Sequence, residues 1–294
     1  MDISVCIVSW NVAADLRACL QALENQRGEV GFEIIVVDNA STDGSPDLVA
    51  REFPGAHLIR SQRNLGFARA CNVAVHSAHG RYLLLLNPDC LLPPDALVKL
   101  MQFADEHPDA GLVGPKLVNA DGSVQHSARR LPNIKAAILR NTFLGRLFPG
   151  STAVDDYLMR QWDRESVREV DWLSGACLVV RRGALDEVGL LDERFFWGSE
   201  DVDLAIRMKN ADWRVLYTPE PQVMHAVGRS TDRVPWRTIF RTHRSMFRLY
   251  RKHLTRSLLH TALVWLGVWL RAALIASQMA WQIVWRGWLR VGGR

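Results

Sequence analysis

Cysteine chemistry is what this sequence offers least. Its five cysteines (Cys6, Cys19, Cys71, Cys90 and Cys177) are odd in number and scattered, and none sits in a Cys-x-x-Cys spacing. Neither a disulfide framework nor a zinc site is therefore suggested, and a reducing compartment fits best. The stretch from Met1 to Asn11 has no basic n-region, and polar residues break its apolar run, so it reads as a first strand and not as a signal peptide. Internal repeats and low-complexity tracts are also lacking, which sets aside solenoids and long linkers. Acid is nearly missing from one part of the chain: residues 229 to 294 hold one Asp or Glu against 13 Lys or Arg.

What is present suits a large folded domain with an appendage. At 48% hydrophobic and 23% charged over 294 residues, the chain can bury a full core. Ile3 to Ser9, Glu33 to Asp38, His57 to Ser61 and Arg81 to Leu86 read as buried strands, with amphipathic helices near 13 to 26, 45 to 53, 66 to 78 and 93 to 107. Such alternation predicts an α/β fold with a mostly parallel sheet, whose ligands sit at the carboxyl ends of the strands. After about residue 110 the pattern loosens. A hairpin is expected through Asn119 to Gly122, and the stretch 128 to 170 stays unassigned, with room for acceptor-binding loops. Then follow a strand over Val170 to Arg181, a short helix from Gly183, a helix over Glu200 to Asn210 and a strand over Arg214 to Thr218.

Residues 1 to 228 carry 23 basic and 30 acidic side chains, so an acidic body is joined to a basic tail. From Pro235, Trp236, Ile239, Phe240, Phe247, Tyr250 and Leu254 recur at helical spacing, while Arg237, Arg241, Arg244, Arg248 and Arg251 line another face. Leu258 to Trp288 is apolar for more than 20 residues, interrupted by Arg271 near its middle, and contains Trp265, Trp269, Trp281, Trp285 and Trp288. Trp beside Arg is the composition of a membrane interface. A charge at the bilayer centre costs at least about 2.5 kcal/mol, so Arg271 favours a helix lying in the interface, or a shallow re-entrant pair, over a full span. An anionic membrane surface is preferred to nucleic acid as the partner, because a nucleic-acid groove does not need the long apolar run.

Four short motifs can carry chemistry. Val36 to Ser45 puts Asp38 and Asn39 at the tip of a buried strand, where they can accept hydrogen bonds from a base or a ribose; an Asx turn, with Ser45 capping the next helix, explains the same residues. Leu84 to Asp89 repeats the arrangement, and Asp89 could reach a divalent cation between two phosphates or simply end a turn. In Trp197-Gly198-Ser199-Glu200-Asp201-Val202-Asp203, Ser199 can cap a helix whose first turn holds three acids, with Asp203 and Arg207 at salt-bridge spacing. That structural reading leaves Glu200 and Asp201, next to an aromatic stretch suited to sugar contact, unexplained. His225 ends a later strand as either a structural histidine or a ligand.

Together and in this order, the motifs resemble the inverting glycosyltransferases of family 2, with a GT-A fold, in their rhamnosyltransferase-like branch. The matching stretches are Ile7 to Asn11, Val36 to Ser45, Arg63 to Ala68, Asn87-Pro88-Asp89, Trp172 to Ala176, Asp192 to Phe196, Glu200 to Leu204 and His225. The resemblance implies a GT-A-type, Rossmann-like mixed sheet, mostly parallel and flanked by helices. Its catalytic domain would span 1–230, with 1–110 the nucleotide-binding half and 111–230 the acceptor half, and 231–294 would be a helical membrane-associating tail. It further implies Asp201 as catalytic base, a donor site at Ser9, Asn11, Asp38, Asn39, Asn64, Gly66 and Asn87, and an acceptor site at Trp172, Ser174, Gly175, Trp197 and Glu200. Asp89 and His225 would hold a divalent metal, Mn²⁺ or Mg²⁺. The family's metal motif is commonly Asp-x-Asp, and Asn87 stands in its first position here.

The implied reaction moves a sugar, first of all rhamnose from dTDP-rhamnose and otherwise a UDP- or GDP-sugar, to a glycan or lipid-linked acceptor in cell-surface polysaccharide synthesis. It would take place at the cytoplasmic face of the cell membrane, by an enzyme held there peripherally or monotopically; a homo-oligomer is compatible with the sequence. Two other classes stay open: a non-catalytic nucleotide-sugar sensor on the same fold, and a membrane-surface adaptor whose basic tail is the function.

Overall fold

The computed structural model describes residues 1–26, 30–131, 136, 139, 151–226, 235–255 and 257–291, with side chains as far as 281 and apart from residue 235. The unassigned stretch 128–170 therefore lies partly outside the described residues. So do the expected boundary near 230 and the side chains of the last two tryptophans.

The amino-terminal part alternates as its periodicity predicts: β1 (Ile3–Ser9), α1 (Ala13–Glu24), β2 (Phe32–Asp38), α2 (Ser45–Glu52), β3 (His57–Arg60), α3 (Phe67–His76) and β4 (Tyr82–Leu86). After it come β5 (Cys90–Leu91), α4 (Ala96–Glu106), β6 (Ala110–Val118), β7 (Ala128–Arg129), α5 (Thr152–Leu158), β8 (Arg168–Glu169), β9 (Trp172–Leu173), β10 (Cys177–Arg181), α6 (Arg182–Val188), α7 (Glu200–Asn210) and β11 (Arg214–His225). The main sheet has the order β3-β2-β1-β4-β10-β6-β11-β5, with β8 beside β11. β1, β2, β3 and β4 are mutually parallel, β10 runs antiparallel between β4 and β6, and β11 is parallel to β6. The sheet is thus mixed and mostly parallel, as the sequence implies.

Burial explains why these segments are strands. Every residue of β1 and of β4 is buried, because helices cover both faces. Alternate side chains feed two layers. Cys6, Val8, Ile35, Val37, Leu83 and Leu85 pack with α3 and α7 through Ala70, Ala74, Leu204 and Met208. Ile3, Val5, Ile7, Val36, Leu84 and Leu86 pack with α1, α2 and α4 through Leu16, Leu20, Leu48, Leu97 and Leu100. Each such fully buried aliphatic side chain stabilises the fold by about 2 kcal/mol relative to exposure. All five cysteines are free and buried in these layers, and burial pushes the Cys6 and Cys177 thiols up to about 12, so they act as small apolar groups.

Three local expectations are corrected. The strand over Val170 to Arg181 is two strands, β9 and β10, interrupted at residues 174–176. β11 continues past Thr218 to His225, beyond a shift in its register with β6. Neither expected serine cap forms: Gly44, left-handed, precedes α2, while Asp43 accepts the backbone N–H and hydroxyl of Ser45. Ser199 does hold the N-cap position of α7, but without a capping side-chain bond.

The tail forms two helices, α8 (Pro235–His253) and α9 (Leu258–Val291), which run antiparallel to each other: Phe240 meets Trp269 with ring centroids 5.2 Å apart, His243 meets Arg271 at 2.7 Å, and Tyr250 meets His260. α8 is docked on the body. Arg241 lies 3.8 Å over the Phe196 ring, Arg248 donates to the Arg194 carbonyl, and Lys252 and His253 reach Asp203 at 2.7 Å each. The basic face expected to meet lipid is therefore partly spent inside the protein. α9 differs. Its segment Leu258–Trp281 has mean hydropathy 1.7 with 6% of it buried, and it is long and apolar enough to cross a membrane. Its one charge, Arg271, turns toward α8, leaving Leu259, Leu263, Leu266 and Leu270 exposed. Full-length protein is expected to sediment with anionic liposomes at low salt, whereas protein lacking 257–294 stays in the supernatant. Full-length protein in the supernatant would remove the membrane from the account.

Candidate active site

The carboxyl ends of β1, β2, β4, β6 and β11 lie at one end of the sheet, since β6 and β11 run with β4. At β1 and β2, Asn39 N donates to Ser9 O at 2.8 Å, and the Asn11 side chain accepts from Thr42 N at 2.7 Å. Asn39 Oδ1 accepts from Leu65 N at 2.7 Å, and its amide donates to Asn64 Oδ1 and to Gly66 O, each at 3.3 Å. The structure thus gathers Ser9, Asn11, Asp38, Asn39, Asn64 and Gly66 into one network. Gly66 has φ +83°, and a Cβ there would stand 2.7 Å from Phe196 O, so only glycine lets this loop close on the segment that leads to α7. Asp38 Oδ2 accepts from Ser41 N at 3.2 Å, whereas buried Asp38 Oδ1 and Ser9 Oγ have no partner among the described residues. Leaving such atoms unsatisfied costs about 1–3 kcal/mol each, which fits a place for ligand donors.

A second cluster forms where β5 folds back from β4 to the end of β11. His225 pairs with Cys90 in register, and His225 Nε2 lies 3.4 Å from Asp89 Oδ1. Gln125 holds this histidine: its Oε1 is 3.0 Å from His225 Nδ1, and its amide donates to His225 O at 2.7 Å. With Nδ1 donating to Gln125, the Nε2 lone pair faces the Asp89 carboxylate, an arrangement that a cation between them relieves. Asp89, Cys90 and His225 offer ligand atoms within 4.8 Å of one another. The Cys90 thiol points elsewhere, toward Ala176 O at 3.3 Å, and burial holds it protonated well above the ordinary range. The donor set fitting a hard divalent ion is therefore Asp89 with His225.

Between these clusters and α7 lies the break at 174–176. Asn87 N donates to Ala176 O at 2.8 Å, and Gly175 N donates to Asp201 Oδ2 at 3.2 Å. Asp201 Oδ1 accepts from Val202 N at 2.8 Å, and the residue remains partly exposed. Glu200 is buried, with Oε2 lacking a partner among the described residues. Burial, then the Asp201 charge, raises the Glu200 carboxyl well above its ordinary value, and burial also raises Asp201.

The family model described as "Glycosyl transferase family 2" matches residues 4–171. The chain belongs to glycosyl transferase family 2. The N-acetylglucosaminyl-diphospho-decaprenol L-rhamnosyltransferase of Mycobacterium tuberculosis is 33% identical over 225 residues, covering 73% of each protein. The O-antigen biosynthesis protein RfbC of Myxococcus xanthus is 27% identical over 230 residues, 75% of this chain but 17% of that protein. Among solved structures, Staphylococcus aureus TarS in complex with UDP superposes with TM-score 0.53 at 17% identity, covering 90% of this chain and 70% of its own. GalNAc-T7 with UDP, GalNAc and Mn²⁺ gives TM-score 0.57 at 16% identity, covering 77% and 44%. These likenesses show the GT-A fold. As a family 2 enzyme the chain is a glycosyltransferase, and the Asp89–His225 pair suits a divalent metal.

In this glycosyltransferase the sequence motifs do not all lie at the open end of the sheet. Trp172 is buried, its indole N–H donating to Arg130 O at 2.8 Å under the Arg129 guanidinium, and Gly175 and Glu200 are beneath the surface, whereas Ser174 and Trp197 are partly exposed. Gln125, Ser41 and Thr42 were not singled out by sequence. Gln125 stands in a turn-flanking position 100 residues from the histidine it orients, and no local spacing signals that partnership. The buried acid gives the site a pH signature. A carboxyl whose folded pKa is raised carries no penalty below its ordinary value of about 4.5, and stability is lost as pH rises from there toward the raised value. Wild-type stability should fall between about pH 5 and pH 8, with Glu200→Gln giving a shallower fall; urea melts with equal slopes for both proteins would count against this.

Proposed function

We propose that this enzyme is an inverting glycosyltransferase that takes a sugar from a nucleotide-sugar donor to a glycan or lipid-linked acceptor in cell-surface polysaccharide synthesis. dTDP-rhamnose is the first donor to test, ahead of UDP-sugars and GDP-mannose. The observation that carries the reading is the linkage of Asp201, through Gly175 and Ala176, to Asn87 beside the Asp89–His225 pair. The Mycobacterium tuberculosis relative, named as a rhamnosyltransferase on a diphospho-decaprenol acceptor, supports both the sugar and the lipid-linked class of acceptor.

In this reading Asp38, with its free Oδ1, accepts from the donor's base, and Ser9, Asn11, Asn39, Asn64, Gly66 and Asn87 shape the nucleotide cradle. Asp89 and His225 hold Mn²⁺ or Mg²⁺, which supplies positive charge to the departing diphosphate. Ser174 and Trp197 border the acceptor, with Trp172, Gly175 and Glu200 supporting them from below. Asp201 accepts the proton of the acceptor hydroxyl while that oxygen bonds to the anomeric carbon and the bond to the nucleoside diphosphate breaks. One displacement inverts the centre. The acid's raised pKa makes it a better base than an exposed aspartate, and both of its oxygens are oriented by backbone N–H groups. The exposed apolar face of α9 supports work at the cytoplasmic membrane surface, close to a lipid-linked acceptor.

Asp201→Asn should keep donor binding, read as a thermal shift, and lose about 10²–10⁴-fold in transfer, the range of a lost general base; turnover near wild type would exclude Asp201 from the mechanism. Asp89→Ala should weaken metal-dependent donor binding much more than Asn87→Ala, since only Asp89 brings a formal charge to the ion. Equal effects of the two substitutions would mean that the metal is held elsewhere.

A further inference from the structure

A pocket of about 460 Å³ lies between α8 and the loop before α7. It is lined by Arg194, Arg244, Phe247, Arg248, Arg251 and Lys252. Two of its five cations are neutralised: Arg194 pairs with Asp192 at 2.6 Å, and Lys252 pairs with Asp192 at 2.8 Å and Asp203 at 2.7 Å. Arg244, Arg248 and Arg251 have no carboxylate within ion-pair distance among the described residues, and their spacing places them in one row along α8. Burial, then repulsion from Arg244 and Arg194, holds the Arg248 guanidinium below its usual range. Three clustered guanidinium groups beside a concavity, near only Asp192, which is already paired with Arg194 and Lys252, are a cost that a multivalent anion would relieve.

The surroundings narrow the anion. α8 carries the pocket on one face and α9 on another, through His243, Met246 and Tyr250, so one helix joins the cavity to the helix whose leucines are exposed. The same loop that supplies Arg194 runs on through Phe196, under Arg241, to Asp201 seven residues later. A ligand with an apolar chain, a charged link and a sugar could lay the chain toward α9, the link on the arginines and the sugar toward Asp201. Guanidinium forks match phosphate oxygens in pairs, and Phe247 gives the cavity an apolar wall.

We propose that this pocket is a diphosphate-binding subsite that receives the link between lipid and sugar in the acceptor. The proposal rests on the lipid-linked acceptor of the proposed function and adds where its charge is held. Free pyrophosphate and bulk anionic lipid share the chemistry and are separated by experiment. Full-length protein is floated, with EDTA present to strip the Asp89–His225 site, on neutral phosphatidylcholine vesicles carrying a few mole per cent of prenyl diphosphate. Phosphatidylglycerol vesicles of matched charge form the second arm. Wild type should prefer the prenyl diphosphate vesicles, and excess inorganic pyrophosphate should lower its binding to the level on phosphatidylcholine alone, the part that the apolar face of α9 supplies. Arg244→Gln with Arg251→Gln, which orphans no carboxylate, should lose about tenfold or more on the diphosphate vesicles, the loss of one or two charge-assisted hydrogen bonds. On phosphatidylglycerol its loss per charge removed should be no more than that of Arg237→Gln.

Equal losses on both vesicles, or wild-type retention by the double variant, would overturn the proposal. So would failure of pyrophosphate to compete, a result that needs no variant to fold. No turnover enters these readouts: selective vesicle binding by a wild type that transfers no sugar would count against the enzymatic reading and leave the subsite standing.

Discussion

The geometry of the site depends on an interruption in the sheet. Were Val170 to Arg181 one continuous strand, the Gly175 N–H would be used up in a ladder hydrogen bond with a neighbouring strand. Because pairing stops between β9 and β10, that N–H is left for Asp201, while the bond from Asn87 N to Ala176 O carries the β4–β10 ladder one residue further, up to the break. Three residues thus fasten the amino end of α7 to the carboxyl end of β4. The antiparallel direction of β10 is what makes this possible, since it brings the start of that strand, and not its end, to the side where the parallel strands finish. A parallel strand at this place in the sheet would put the break at the opposite edge, away from Asp89 and His225.

The first turn of α7 shows how neighbours decide what an acid can do. Glu200, Asp201 and Asp203 share one helix dipole, which is worth about 0.3–1 kcal/mol near a helix start. Burial of an unpaired carboxylate costs several kcal/mol, so the dipole cannot keep Glu200 charged and its pKa rises. Asp203 is more deeply buried, yet Arg207 at 3.0 Å, Lys252 at 2.7 Å and His253 at 2.7 Å surround it. Two of those three partners come from α8. α8 is therefore part of the electrostatic balance of this first turn, and removing it would leave the buried Asp203 charge to Arg207 alone.

Legibility in the sequence followed the range of the interactions. The alternation of β1 to β4 with helices could be read because residues buried on both faces form continuous apolar runs, and the ends of those runs marked Asp38 and Asp89. The Asp203–Arg207 pair could be read because it is local, at i and i+4. The break at residues 174–176 could not, since its apolar flanks are those of an unbroken strand and the partner of its Gly175 N–H, Asp201, lies 26 residues away. Ser45 and Ser199 have the composition of N-caps, but Asp43 takes up the Ser45 hydroxyl, and Ser199 sits at φ +74° with no side-chain bond to its helix. Capping propensity states what a residue can do at a helix start; the loop before it decides whether the side chain is free to do so. Gln125 and the α8 partners of Asp203 illustrate the same limit at separations of 100 and about 50 residues.

The basic tail gives a last case in which composition and structure divide a single signal. The surplus of Arg and Lys after residue 228 looks uniform in sequence, but the folded chain sorts it by partner. Lys252 and His253 serve Asp203, Arg241 lies on Phe196, and Arg271 donates to His243 Nε2. The last bond requires a neutral histidine, and His243 meets that requirement: its Nδ1 faces Ile239 O at 2.7 Å, and burial, together with the nearby Arg271 charge, keeps its pKa low. A guanidinium that looked like an obstacle to lipid contact is thereby turned inward, onto a neighbour that can accept a hydrogen bond without adding charge. The outward face of α9 is left apolar, and among the described residues three cations without a carboxylate partner, Arg244, Arg248 and Arg251, are gathered in one row on α8. The separation of an apolar face from an unbalanced cationic pocket is what distinguishes this tail from a merely basic one, because a soluble anion needs only the second and a neutral bilayer only the first.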